Sequence, residues 1–297
     1  MRITNAQSYS NLLRSLQSIQ ERMQQAQNEV TTGNRINQLS DDPAGSADIV
    51  RFTADKSEMD QYMSNAAAGK DRLNFADTVL SNVQSMVQRV INLGQLASSN
   101  APPNDSNPAS AYTAEINSIR DQLVASANST FQGTYIFGGS AMTQPPYVVQ
   151  PDQSVAYQGN SDANVVQVGR ASTLQVQIPG NQVFSGAINV FSSLQQLSAA
   201  INAGNTSAVA AQVTNLQQYY DSLSTVRAQI GSLENAAQNV QTNLQSYETT
   251  LAGDQSRVQT VNMAQAVTDF TQAQTALQAA TAAGAKISQV SLLDYLP

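Results

Sequence analysis

The chain has 297 residues, 6% of them aromatic and none of them tryptophan, which suits several packed segments better than one large globular core. It has no cysteine and no histidine, so a disulfide framework and the usual serine or cysteine nucleophile with its imidazole base are excluded. A net charge of -7 with no basic run disfavours a nucleic-acid partner, and no stretch is apolar enough to span a membrane.

The first expected element is a helix from about Ser8 to Thr32. Leu12, Leu16, Ile19, Met23, Ala26 and Val30 repeat at alternating spacings of four and three, the seam of a coiled coil, and Gly33 serves as a left-handed cap. In the following turn, Leu39-Ser40-Asp41-Asp42-Pro43-Ala44-Gly45, Asp42 suits an N-cap and Pro43 the first helical position, where its missing N–H costs nothing. The second helix carries the longest regular seam of the first half, from Tyr62 through Ala66, Gly69, Leu73, Ala76, Leu80, Val83, Val87 and Val90 to Gly94. Ser98 to Pro108 reads as a loop, and Tyr112, Ile116, Ile119 and Leu123 mark a third helix ending near Thr130.

From Phe131 to Phe184 the period changes from helical to alternating. Tyr135-Ile136-Phe137, Tyr147-Val148-Val149, Val155-Ala156-Tyr157, Val165 to Val168 and Leu174 to Ile178 read as short strands separated by turn residues. A short helix from about Val190 to Ile201 and a long one from Ser207 complete the middle. The long seam runs through Val226, Ile230, Leu233, Ala237, Val240, Leu244, Tyr247 and Leu251 to Val258 and Val261, interrupted at Asp254. Near the end Ala266, Phe270, Ala273, Leu277, Ala280, Gly284 and Ile287 repeat the heptad, a counterpart to the first seam.

Charge is sparse around the carboxy-terminal seam. Over the last forty residues only Asp269, Lys286 and Asp294 are charged, whereas glutamine occupies 37 positions in the chain. A two-stranded coiled coil would carry charges beside its seam, so contact on several sides is the better expectation. One seam against one partner offers little apolar area against the conformational entropy of ordering it. The termini are therefore expected to be ordered fully only between many copies.

Five segments carry a resemblance. The Leu39 to Gly45 turn is similar to the turn of the flagellin amino-terminal region. Val226-Arg227-Ala228-Gln229-Ile230-Gly231-Ser232-Leu233-Glu234-Asn235 resembles the carboxy-terminal helix motif of that family. Ser256-Arg257-Val258 with Val261-Asn262-Met263-Ala264 is similar to its terminal segment, although Asn262 replaces a commonly acidic residue. Gly133-Thr134-Tyr135-Ile136-Phe137-Gly138-Gly139 and the ending Ser291-Leu292-Leu293-Asp294-Tyr295-Leu296 look like the hook-associated branch of the family.

The resemblance implies export through the flagellar type III apparatus without a cleaved signal peptide and a place in the extracellular flagellum. It further implies a ring of identical copies between hook-associated protein 1 and flagellin, and an export chaperone. The alternatives are a flagellin that builds the filament itself and, from another class, a type III secreted effector or translocator.

The expected fold is mainly α with a β-rich insertion: an elongated antiparallel helical rod with flagellin-like terminal coiled-coil segments. The expected domains are 1–40 with 255–297, 41–131 with 186–254, and the β-rich 132–185. No enzyme activity, cofactor, metal, nucleic acid or membrane partner is expected. The candidate assembly interface is Leu12, Leu16, Ile19, Met23, Val30, Phe270, Leu277, Ile287, Leu292, Leu293, Tyr295 and Leu296, with Asp42 and Pro43 as a structural cap. Arg227 suits either an intersubunit carboxylate or an intrachain ion pair. Gly138-Gly139 suits a hairpin turn, and the Asn-x-Ser/Thr triplets at Asn104, Asn128 and Asn205 read as chance.

Overall fold

A computed structural model describes residues 2–99 and 107–293, with side-chain surroundings for residues 9–99 and 109–286. The described chain is mainly helical. Helices α1 (Arg2–Thr32), α2 (Pro43–Ser99) and α3 (Asn107–Ala127) precede six short strands, and α4 (Gly180–Phe184), α5 (Val190–Asn202), α6 (Thr206–Gln259) and α7 (Met263–Leu293) follow them. Two compact units divide the chain: Met1–Glu58 with Tyr247–Pro297, and Met59–Ser246.

Asx side chains start most of the later helices. Asp42 accepts the Gly45 N–H at 2.9 Å, Asn189 the Ser192 N–H at 3.1 Å, Asn205 the Ala208 N–H at 3.0 Å and Asn262 the Gln265 N–H at 3.3 Å. Each satisfies one of the donors that a helix start leaves without an intrahelical partner. At Asn262 an amide oxygen serves as the cap, as a carboxylate would. Gly33 ends α1 at φ +71° with its N–H on Glu29 O at 2.9 Å, the left-handed cap its sequence position implies.

In the Met59–Ser246 unit, the α2 seam is buried from Ala66 to Gly94. Its two glycines mark close approaches: a Cβ on Gly94 would stand 2.5 Å from Val213 Cγ2, and one on Gly69 would collide with Val176. The core joins Leu73, Leu80, Val83 and Val87 of α2 to Ile116 and Leu123 of α3, Leu194 and Leu197 of α5, and Leu216, Leu223 and Ile230 of α6.

The six strands form three separate antiparallel hairpins: β1 (Thr130–Phe131) with β2 (Thr134–Tyr135), β3 (Tyr147–Val149) with β4 (Val155–Tyr157), and β5 (Val165–Gly169) with β6 (Ser172–Gln175). The first turns through Gln132 and Gly133 at φ +49° and +79°, the doubly left-handed geometry of a two-residue hairpin loop. The hairpin turn is therefore Gln132-Gly133. Gly138-Gly139, expected to turn a hairpin, instead forms a bend outside the strand pairs, where a Cβ on either glycine would strike backbone or side-chain oxygen.

Ile136 and Phe137, expected in a strand, lie outside the ladders and enter the core at 1% exposure each. Tyr147 packs against Tyr157, Phe184 and Phe191 at ring separations of 5.0, 5.4 and 5.3 Å, which ties the β3–β4 hairpin to α4 and α5. Arg72 fastens the same segment to α2: it donates to Thr134 Oγ1 at 3.0 Å, Tyr135 O at 2.8 Å and Gln177 Oε1 at 3.1 Å. These acceptors are neutral, and burial lowers the guanidinium pKa below its ordinary value.

Other expectations need correction. The third helix ends at Ala127, and Thr130 already belongs to β1. The one-turn α4 lies inside the segment read as β-rich. Asp254 interrupts the α6 seam but not the helix, and its carboxylate pairs with Arg257 at 3.0 Å on the surface. Tyr247, assigned to the α6 seam, is 59% exposed.

Candidate assembly interface

The Met1–Glu58 and Tyr247–Pro297 unit contains both terminal helices, and α1 packs on α7 in antiparallel pairing. Ile19 and Ala26 of α1 and Ala266 of α7 are buried. Leu12, Leu16, Met23 and Val30 of α1 and Phe270, Ala273, Leu277, Ala280 and Gly284 of α7 are half-buried. The two heptad seams thus meet within one copy, and most of their side chains keep part of their surface exposed. Ile287, Leu292 and Leu293 belong to α7 by backbone, but their side chains lie outside the described residues, and Tyr295 and Leu296 lie wholly outside them.

The turn between α1 and α2 is tied to the end of α6. Arg35 donates its backbone N–H to Gln259 O at 2.7 Å, Val261 N–H reaches Gly33 O at 3.0 Å, and Asn34 bridges Thr260. The Arg35 guanidinium adds contacts to Asp42 Oδ2 and Val258 O, both at 3.1 Å. Asp42 therefore caps α2 with one oxygen and holds Arg35 with the other. Its pKa lies below the ordinary carboxylate value, chiefly through the Gly45 N–H and then through Arg35.

Pro43 occupies the first position of α2 as expected. Asp41 accepts the backbone N–H groups of Asn37 and Gln38 at 2.9 and 2.8 Å, so both acidic residues serve the turn. Gly45 completes it: a Cβ there would stand 2.5 Å from Ile36 Cδ1 and 2.7 Å from Asp42 Oδ2.

Arg227, left open between two roles, makes an intrachain pair. Its Nε and Nη2 hold Asp77 at 2.8 and 2.9 Å, and Nη1 adds Gln84 Oε1 at 2.9 Å. Asn128 uses its amide within the fold, donating to Tyr147 O at 2.8 Å and accepting the Tyr147 N–H at 2.9 Å. Among the described residues no group of three or more acidic side chains could hold a metal, and no helix is long and apolar enough to cross a membrane.

Sequence reading missed a set of exposed apolar side chains on this unit: Tyr9, Leu13, Leu39, Val50, Met263 and Val267. Leu39 and Val50 sit outside any heptad register, so periodicity gives them no mark. Only the folded turn shows that they face solvent together.

Residues 3–142 match the family model for the bacterial flagellin N-terminal helical region, and residues 205–296 match that for the flagellin C-terminal helical region. The chain belongs to the flagellin family. Among members of this family, the flagellin of Bacillus subtilis (strain 168) is 24% identical over 303 residues, covering 97% of each chain. Flagellar hook-associated protein 3 of Escherichia coli (strain K12) is 25% identical over 327 residues, covering 99% of each. The solved structure of flagellar hook-associated protein 3 from Legionella pneumophila superposes with a TM-score of 0.64 at 13% identity, over 71% of this chain and 98% of that one, a likeness of fold.

Proposed function

We propose that this chain is a non-catalytic structural subunit of the bacterial flagellum. Within it, a ring of identical copies joins the hook, through hook-associated protein 1, to the flagellin filament. The observation that carries the reading is the end-to-end correspondence with a hook-associated protein 3, over 99% of both chains. The Gly133 to Gly139 segment adds to it. That segment contributes Gly133 to the β1–β2 turn, the buried Ile136-Phe137 pair, and Thr134 and Tyr135, which accept hydrogen bonds from Arg72 of α2.

The half-exposed terminal seams supply the contact with neighbouring copies, and the Leu292 to Leu296 ending supplies contact with a neighbour or with an export chaperone. Export runs through the flagellar type III apparatus. The chain then resides outside the cell, in the flagellum.

Deleting the gene tests the proposal. Cells are expected to carry hooks without filaments and to lose monomeric flagellin to the medium; normal filaments would end the reading. The competing role as filament subunit has the match to a flagellin over 97% of both chains in its favour. Seeded polymerisation separates the two: a filament subunit elongates the seed into long filaments, whereas a junction protein does not.

A further inference from the structure

We propose that the groove edged by Leu39 and Val50 receives the exposed start of α7 from a second copy, so that copies join groove to ridge. The inference rests on the assembly role above and assigns it a surface distinct from the terminal seams. Leu39 and Val50 are the most exposed large apolar side chains among the described residues, at 70% and 66%. With Ile36 and Ile49 they border a shallow groove of about 290 Å³ whose remaining walls are Asn37, Gln38, Ser46 and Gln259. No charged side chain lines it.

The chemistry selects the occupant. A guest must bring apolar groups and a hydroxyl or amide, and no charge; a nucleic acid, a lipid headgroup or an acidic or basic peptide would each bury charge against uncharged walls. The first turns of α7 have the required composition. Met263 and Val267, four residues apart on one helix face, are 46% and 44% exposed, and exposed Thr271 follows on the same face. Asp269, the only charge between Met263 and Ala282, lines a different groove beside Arg22 and Glu29. A ridge and a groove at different places on one surface make a heterologous contact. A growing assembly keeps one free groove at one end and one free ridge at the other, which closes a ring or continues a helix.

Paired substitutions test it in cells whose native gene is replaced. Val50→Asp or Val267→Lys alone places a charge in an uncharged contact, and each is expected to reduce filament-bearing cells at least tenfold while export continues. Together the two charges face one another, and the double variant is expected to recover at least half of the wild-type level. Single variants that keep wild-type filaments, or a double variant no better than either single, overturn the proposal. Thermal melting of each purified variant guards against misfolding, because both positions are exposed.

A second experiment exploits the absence of native cysteine. Oxidised flagella carrying Val50→Cys with Val267→Cys are expected to yield cross-linked dimers and higher multiples, and neither single variant is. Equal yields from the single variants, or none from the double, overturn the contact. Normal filaments after deletion of the whole gene would instead remove the junction role on which it rests.

Discussion

Gly284 of α7 lies so close to Leu12 of α1 that a Cβ on the glycine would stand 3.0 Å from Leu12 Cδ2. The nearest atom is the end of a half-buried, rotatable side chain, so a methyl group can be accommodated by a small shift while a larger side chain cannot. Gly284→Ala is expected to raise stability by up to about 0.8 kcal/mol, the helix-interior cost of glycine. Gly284→Leu is expected to lower it by about 1–3 kcal/mol through overpacking. Far-UV thermal melting of the whole chain distinguishes the two, and equal effects of both substitutions would contradict this reading of the contact.

Asp42 couples the start of α2 to Arg35, and its proton affinity is lowered first by the Gly45 N–H and then by the guanidinium. A carboxylate with a depressed folded pKa stabilises fully above its unfolded value, about pH 4, and loses that contribution as pH falls through the lower folded value. Asp42→Asn, which keeps a capping oxygen but loses the charge, is therefore expected to melt a few degrees below the parent at pH 7. The gap should close under strong acid. A gap that stayed constant down to pH 2 would show that the charge is not responsible.

The Arg227–Asp77 pair is bidentate but partly solvated, with 31% and 35% of the two side chains exposed. Solvent screening limits the cost of Arg227→Ala to about 1 kcal/mol. Arg227→Lys is expected to recover less than half of it, because an ammonium cannot match the parallel geometry. A double-mutant cycle with Asp77→Asn measures the coupling; no coupling would assign the loss to packing alone.

Among the described seam residues of α1 and α7, Ile19, Ala26 and Ala266 are buried and the rest half-buried, whereas every α2 seam residue from Ala66 to Gly94 is buried. Limited proteolysis of the isolated chain is expected to cut α1 and α7 at least tenfold faster than α2, and assembly is expected to slow those cuts. Termini that resist as long as the middle would contradict ordering by assembly.

Several parts of the fold were legible locally. Gly33, Asp42 and Pro43 end and start helices through contacts within a few residues, which any sequence reading can weigh. The α2 and terminal heptads specify a buried face because helical period alone places those side chains together. Phe137 and Tyr247 misled for the same reason: alternation and heptad register describe a local face without saying whether another segment covers it. Phe137 is covered by Phe184 at 5.2 Å, while Tyr247 remains exposed.

The sequence by itself determined the helical segments, their caps, the apolar seams and the family to which these motifs belong, since each depends on short-range sterics, hydrogen bonding and periodicity. Only the tertiary structure decided that the two end seams meet in one copy, that Arg35 joins the first turn to the end of α6, and that Leu39 and Val50 share a groove. Those outcomes bring together residues more than 200 positions apart, or depend on which surfaces stay uncovered, and no local pattern records either.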